Sequence, residues 1–192
     1  MKAAICTRYG PPEVFRIEDV ARPVPKGGEV LIRIHASTVS SSDWILRSGL
    51  RNGPLWMQAM MRLGVGLTGP RRAILGLILA GEIEAVGAAV TRFRVGDRVV
   101  AFTALHFGAY AQYTCLPETS TLGLAPANLT YEEAAAIPYG GLLALHFLRK
   151  GAIEAGQRVL VYGASGAVGV WAVQIGKALG AHVTAVCSTR NV

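Results

Sequence analysis

One succession of residues constrains the fold more than any other. The apolar run Arg158-Val-Leu-Val-Tyr162 leads into Gly163-Ala-Ser-Gly166-Ala-Val-Gly169, and helical spacing of apolar residues begins at Val168 and continues to Leu179. This is a strand, a glycine-rich turn and a helix start. Such a turn directs backbone N–H groups and the positive end of a helix dipole toward a phosphate. Three glycines at this spacing permit the tight turn, the approach of a pyrophosphate and close helix–strand packing. Gly180 closes the helix, and His182-Val-Thr-Ala-Val-Cys187 reads as a second buried strand. The spacing therefore predicts the first half of a mononucleotide-binding unit, with Gly163, Ala164, Ser165, Gly166, Ala167, Val168 and Gly169 as its phosphate loop. A glycine-rich turn in another α/β fold is the alternative.

The end of the second strand bears on the choice of dinucleotide. NAD sites place Asp or Glu there to accept hydrogen bonds from the ribose hydroxyls. This chain has Cys187-Ser188-Thr189-Arg190 and no carboxylate. Two hydroxyls and a guanidinium suit a 2′-phosphate, so Ser188, Thr189 and Arg190 point to NADPH; a solvated loop arginine is the alternative. The sequence stops at Val192, where a six-stranded dinucleotide domain would still owe four strands. The expectation is a fragment or shortened product of a longer reductase.

Apolar residues make up 52% and charged residues 16%, against about 45–50% and about 25% in ordinary soluble domains. That excess is expected where surfaces await an absent half. The longest apolar run, Ala73–Gly81, is too short to span a bilayer, and Met1-Lys-Ala-Ala-Ile-Cys enters a strand with no signal-peptide core. Cys6, Cys115 and Cys187 are odd in number and widely separated, which argues against disulfides and zinc knuckles and for buried free thiols in a reducing compartment. The net charge is +7, but basic residues are scattered without interleaved aromatics, as on a solvated basic surface. A cytoplasmic protein with neither nucleic-acid nor membrane partner is expected.

Residues 1–125 read as a β-rich domain, with short runs at Lys2–Thr7, Phe15–Asp19, Glu29–Ser37, Ala80–Val86 and Arg98–Ala101, and a tight turn at Gly96-Asp97. Trp56-Met-Gln-Ala-Met-Met61 predicts a short helix, either core filler or a lid over a cleft. Thr130 and Glu133 form a capping box that opens a helix. Pro138 and Gly140-Gly141 are expected to break it before Leu142–Lys150 resumes. The division expected is a β domain over 1–125, an interdomain helix over 126–150 and a partial dinucleotide-binding domain over 151–192.

Several stretches together carry a resemblance: Gly10-Pro-Pro-Glu-Val14, Gly27-Gly-Glu-Val-Leu31, Ser42-Asp43-Trp44, Ala80-Gly-Glu82, Val95-Gly-Asp97, Phe107–Gln112, Glu132-Glu-Ala-Ala135 and Gly163–Gly169. The chain resembles the zinc-independent, quinone oxidoreductase-like branch of the medium-chain dehydrogenase/reductase superfamily. The resemblance implies a GroES-like β domain followed by the β-α-β start of a Rossmann domain, with NADPH in the cleft between the two. Zinc relatives carry a cysteine and a Gly-His-Glu as catalytic ligands. Here Ser40 stands in the first stretch and Gly76-Leu77-Ile78 in the second, and neither Ser nor Leu replaces thiolate or imidazole on zinc. No metal is expected.

Without zinc, the implied chemistry is hydride delivery to a quinone or an α,β-unsaturated carbonyl, with a donor or water for the carbonyl oxygen. Ser40 stands where relatives often carry Asn, and Leu143 where they often carry Thr. Ser40 and Tyr139 are the two candidates for a catalytic donor, with packing the alternative for Tyr139. The expected partners are a small-molecule quinone or enone and, further, a second copy in a homodimer. Two other readings stand beside this one: a non-catalytic relative that binds NADPH or a partner, and an inert remnant whose only folded part is the β domain.

Overall fold

A computed structural model of the chain describes residues 1–51 and 53–191. It divides into two compact units, Met1–Ala135 and Ala136–Val192.

The first unit is built on a five-stranded antiparallel sheet. Its strands are β3 (Glu29–Ser37), β4 (Ile78–Val86), β5 (Arg98–Phe102), β6 (Tyr113–Pro117) and β7 (Thr121–Leu124), in the order β6-β3-β4-β5-β7. Alternation along each strand sends Val30, Ile32, Leu79, Ile83, Val99, Ala101, Leu116 and Leu122 into one core. Two register shifts in the β3–β4 pairing, at Leu31/Ile32 and Ile34/Ala36, bend the sheet around that core. Gly81 sits where a Cβ would run into the Arg33 carbonyl, so the close approach of β3 and β4 requires glycine there. β1 (Lys2–Cys6) and β2 (Phe15–Asp19) form a separate hairpin, joined to the rest by bridges Ala3–Ala111 and Ile5–Ile74. Cys6, Val14 and Leu75 pack beneath it.

Among the described residues, three α-helices accompany the sheet in this unit. α1 spans Ser41–Ser48 and ends at Gly49, whose φ of 69° supplies the left-handed cap. α2 spans Leu55–Val65, so the expected helix at Trp56–Met61 is present and longer than predicted. No residue of α2 is buried, which overturns the core-filler reading. A third helix, α3 (Tyr131–Ala135), packs Ala134 and Ala135 against Ala80 of the sheet. The Thr130–Glu133 capping box opens it: Thr130 N–H donates to Glu133 Oε2 at 2.9 Å, and Glu133 N–H to Thr130 Oγ1 at 3.2 Å.

The second unit begins with α4 (Ile137–Lys150), followed by β8 (Arg158–Tyr162), α5 (Ala167–Ala178) and β9 (His182–Val186). β8 and β9 pair in parallel, Arg158 opposite His182 and Tyr162 opposite Val186. The expected helix break at Pro138 and Gly140-Gly141 does not occur there. The break lies at Ala136, and Pro138 sits in the first turn of α4, where the missing N–H has no helical acceptor. The glycines continue the helix because α5 crosses close against it. A Cβ on Gly140 would meet Trp171 Cδ1 at 2.6 Å and overlap the Ala167 carbonyl. Trp171 Nε1–H donates to Ala136 O at 3.3 Å, which fixes that crossing. Of the three cysteines, all free, only Cys6 is buried; Cys115 and Cys187 are half-buried, which corrects the expectation for those two thiols.

Candidate functional site

The glycine turn lies where β8 passes into α5. Gly163 has φ +79°, a conformation that strains any residue bearing a Cβ. Its N–H and that of Ala164 both donate to Val186 O at 2.9 Å, tying the turn to the end of β9. Gly166 N–H donates back to Gly163 O at 3.0 Å and closes the loop. Gly169 lies one turn into the helix, and a Cβ there would overlap the Gly163 carbonyl and lie 2.8 Å from Ala164 Cα. A Cβ on Gly176 would lie 3.0 Å from Val183 Cγ2 of β9, so the helix also packs closely on that strand. Gly166 caps α5 in extended conformation and makes no side-chain cap bond. The first N–H groups of any helix lack helical acceptors, and the N-cap residue here, Gly166, has no side chain to offer those of Ala167, Val168 and Gly169. Such a cradle suits an anion.

The chain after β9 turns back to this loop. Thr189–Asn191 form a short 3-10 turn, closed by Asn191 N–H donating to Ser188 O at 2.9 Å. Asn191 Nδ2 donates to Ser165 Oγ at 2.9 Å. Ser188, Thr189 and Arg190 are exposed and lie on the segment that this bond joins to the glycine loop. Asn191 was not among the residues that the sequence singled out as contacts. Its link to Ser165 spans the whole helix and carries no local sequence signal.

Ser40 is elsewhere, in the first unit, as the N-cap of α1. Its hydroxyl donates to Asp43 Oδ2 at 2.6 Å, Ser40 N–H donates to the same oxygen at 2.9 Å, and Asp43 N–H donates to Ser40 Oγ at 3.4 Å. The hydroxyl proton is therefore held by Asp43. Asp43 is 4% exposed, and among the described residues its Oδ1 and Thr38 Oγ1 are buried without a hydrogen-bond partner. Tyr110 donates to Thr38 O at 3.2 Å. Burial first, and then the Asp43 carboxylate, pushes the Tyr110 phenol well above its ordinary range. Sequence reasoning quoted Asp43 and Tyr110 only as matching residues. The Ser-x-x-Asp pattern at Ser40–Asp43 is the signal that was available, a capping box with Asp in place of Glu.

Tyr110 also lines an apolar cleft of about 550 Å³ with Phe15, Ile17, Ile34, His35 and Val39. Val39 directly precedes Ser40. Tyr139 lies in the second unit, half-buried in the first turn of α4. Among the described residues no three His, Cys, Asp or Glu side chains come together as a metal-binding set, and no helix is long and apolar enough to cross a membrane.

Comparison with known proteins gives a consistent picture. Residues 26–127 match the alcohol dehydrogenase GroES-like domain. The chain is 37% identical to a quinone oxidoreductase of Sus scrofa over 194 residues, which covers 100% of this chain and 54% of that protein. A solved quinone oxidoreductase from Coxiella burnetii superposes with a TM-score of 0.82 at 30% identity, over 100% of this chain and 57% of the other. Escherichia coli quinone oxidoreductase, solved in complex with NADPH, gives a TM-score of 0.79 at 28% identity over 100% and 54%. The chain thus spans about half the length of the curated relatives it matches.

Proposed function

The chain belongs to the alcohol dehydrogenase GroES-like domain family, in the quinone oxidoreductase-like part of the medium-chain dehydrogenase/reductase superfamily, and on that premise we propose that it serves an NADPH-dependent, zinc-independent reductase of quinones or α,β-unsaturated carbonyls. The observation that carries this reading is the cradle at the start of α5. Gly163 takes a backbone conformation that favours glycine, Gly169 leaves no room for a Cβ, and the N-cap residue Gly166 makes no side-chain cap bond. A pyrophosphate fits such a loop, held by the backbone N–H groups of the first helical turn. Ser188, Thr189 and Arg190 would meet the 2′-phosphate, the guanidinium through two charge-assisted bonds.

Bound NADPH supplies a hydride, and the protein's part is to orient the substrate and serve its oxygen. The apolar cleft beside Val39 and Tyr110 has the lining that a quinone ring requires. A carbonyl that gains a hydride equivalent at its conjugated carbon also takes up one proton at oxygen. Ser40 donates its own proton to Asp43, so it supplies one to substrate only after its hydroxyl turns away from that carboxylate. Tyr139 is the second candidate donor.

A second reading, in which these 192 residues bind NADPH without turning over substrate, is favoured by the bare face of the β8-β9 sheet. Leu160 is 67% and Tyr162 87% exposed there. The experiment that tests both is a titration with NADPH and NADH followed by Trp171 fluorescence, then an enone- or quinone-reduction assay. Saturable binding that prefers NADPH, with Arg190→Ala losing about tenfold for NADPH and little for NADH, supports the cofactor assignment. Failure of both cofactors to bind would refute it. Binding without turnover would favour the second reading.

A further inference from the structure

Helix α2 stands out from the first unit because it is apolar on the side that faces water. Trp56, Met60 and Leu63 recur at i, i+4 and i+7, one stripe of a 3.6-residue helix. They are 63%, 65% and 66% exposed. Leu55 and Met57 flank them in exposed positions, and Leu67 follows just beyond the helix. The opposite side, Gln58, Met61 and Val65, is the half-buried one that rests on the protein.

This presentation is fixed by specific bonds. Gln58 Nε2 donates to Gly53 O at 2.8 Å at the start of the helix. At its end Arg71 Nη2 donates to Leu63 O at 3.0 Å, Arg71 N–H donates to Val65 O at 2.8 Å, and Tyr9 donates to Gly66 O at 2.7 Å. Both ends are thus anchored with the stripe pointing outward.

Charge on this segment has one sign. From Trp44 to Gly81 there is no Asp or Glu, whereas Arg51, Arg62, Arg71 and Arg72 are all exposed. An apolar helical stripe with a tryptophan, bordered by arginines and free of acid, is the composition of a helix that lies in a membrane interface. We propose that α2 docks the first unit onto an anionic lipid bilayer. Trp56, Met60 and Leu63 enter the headgroup–acyl boundary, and Arg51, Arg62, Arg71 and Arg72 meet lipid phosphates. That no helix among the described residues is long and apolar enough to span a bilayer does not bear on this, because an interfacial helix needs an amphipathic face and not the length to span. The expectation of no membrane partner considered spans alone.

The test is flotation of the whole chain with phosphatidylcholine vesicles prepared with and without phosphatidylserine, at low and high salt. Binding to the anionic vesicles that weakens in high salt is expected. The variant Trp56→Ser/Met60→Ser/Leu63→Ser replaces only exposed side chains, keeps the far-UV spectrum, and should bind on the order of 100-fold more weakly. Arg62→Gln should lose about fivefold. Brominated phosphatidylcholine should quench part of the tryptophan emission, and Trp56→Phe should remove that part. Failure to bind anionic vesicles, or equal binding by the triple variant, would overturn the proposal. So would a concentration-dependent dimer abolished by the same triple substitution, since the stripe would then belong to a second copy.

Discussion

Replacing Gly169 by alanine would put a methyl group against backbone atoms that have nowhere to go. The new Cβ would lie 2.8 Å from Ala164 Cα and overlap the Gly163 carbonyl, and neither is the tip of a flexible side chain. Relief requires α5 to lift away from β8, so the cost belongs at the upper end for overpacking, about 3 kcal/mol. Its neighbours give an internal scale. A Cβ on Gly163 would meet nothing within 4 Å, but φ there is +79°, so Gly163→Ala should cost about 1–2 kcal/mol through backbone strain alone. Gly166 is extended and its nearest contact would be 3.3 Å, so Gly166→Ala should cost about 0.5–1 kcal/mol at the N-cap. Urea unfolding read at Trp171, in a Trp44→Phe/Trp56→Phe background, reports the second unit alone. The order 169, 163, 166 is the prediction. If Gly169→Ala destabilises no more than Gly166→Ala, the close approach of turn and helix is wrong, and the case for a backbone cradle goes with it.

Other consequences are open to measurement. Burial first, and the Glu29 carboxylate second, push the Cys115 thiol up to about 11 from 9.0. At pH 8 it should react with a disulfide reagent about 100-fold more slowly than an unshifted thiol. Because the folded value lies above the unfolded one, its contribution to stability is complete below about pH 8.5 and is lost as pH rises toward 11. A pH-independent difference between wild type and Cys115→Ser across that window would contradict it. Leu79→Ala, at a fully buried site in the sheet core, should lower unfolding free energy by about 2–5 kcal/mol in a denaturant melt. Ser40→Ala removes an N-cap oxygen and one of the hydrogen bonds to Asp43, and should cost about 1–2 kcal/mol by thermal unfolding.

The strands at Phe15–Asp19 and Glu29–Ser37 were legible from alternation and turn residues, and the Thr130–Glu133 cap from its spacing. β6 and β7 were not, and the reason is physical. Both are short edge strands, Tyr113–Pro117 ends in a proline that only an edge tolerates, and Thr121–Leu124 contains a glycine. Gly140-Gly141 looks like a helix break in sequence because glycine is costly in a helix interior. Only the structure shows Trp171 and Ala167 packed where a Cβ would be. The Trp56–Met61 run showed its helical character but not its exposure, since a one-dimensional pattern does not say which side a partner covers. Of the candidate site, the glycine loop was readable and the Ser40–Asp43 capping box had a local signal in its spacing, whereas the bond from Asn191 to Ser165 depends on the fold.

The order of strands in the first sheet has a consequence for synthesis on the ribosome. β3 lies between β6 and β4, and Val30 finds its partner in Leu116 only after most of the unit has been translated. Ala3 likewise waits for Ala111. The nascent chain must therefore carry β3 unpaired on one side for most of elongation, and closure of the sheet comes late. The second unit follows the opposite schedule. Arg158 meets His182 across a single helix, so its pairing can form almost as soon as β9 leaves the exit tunnel.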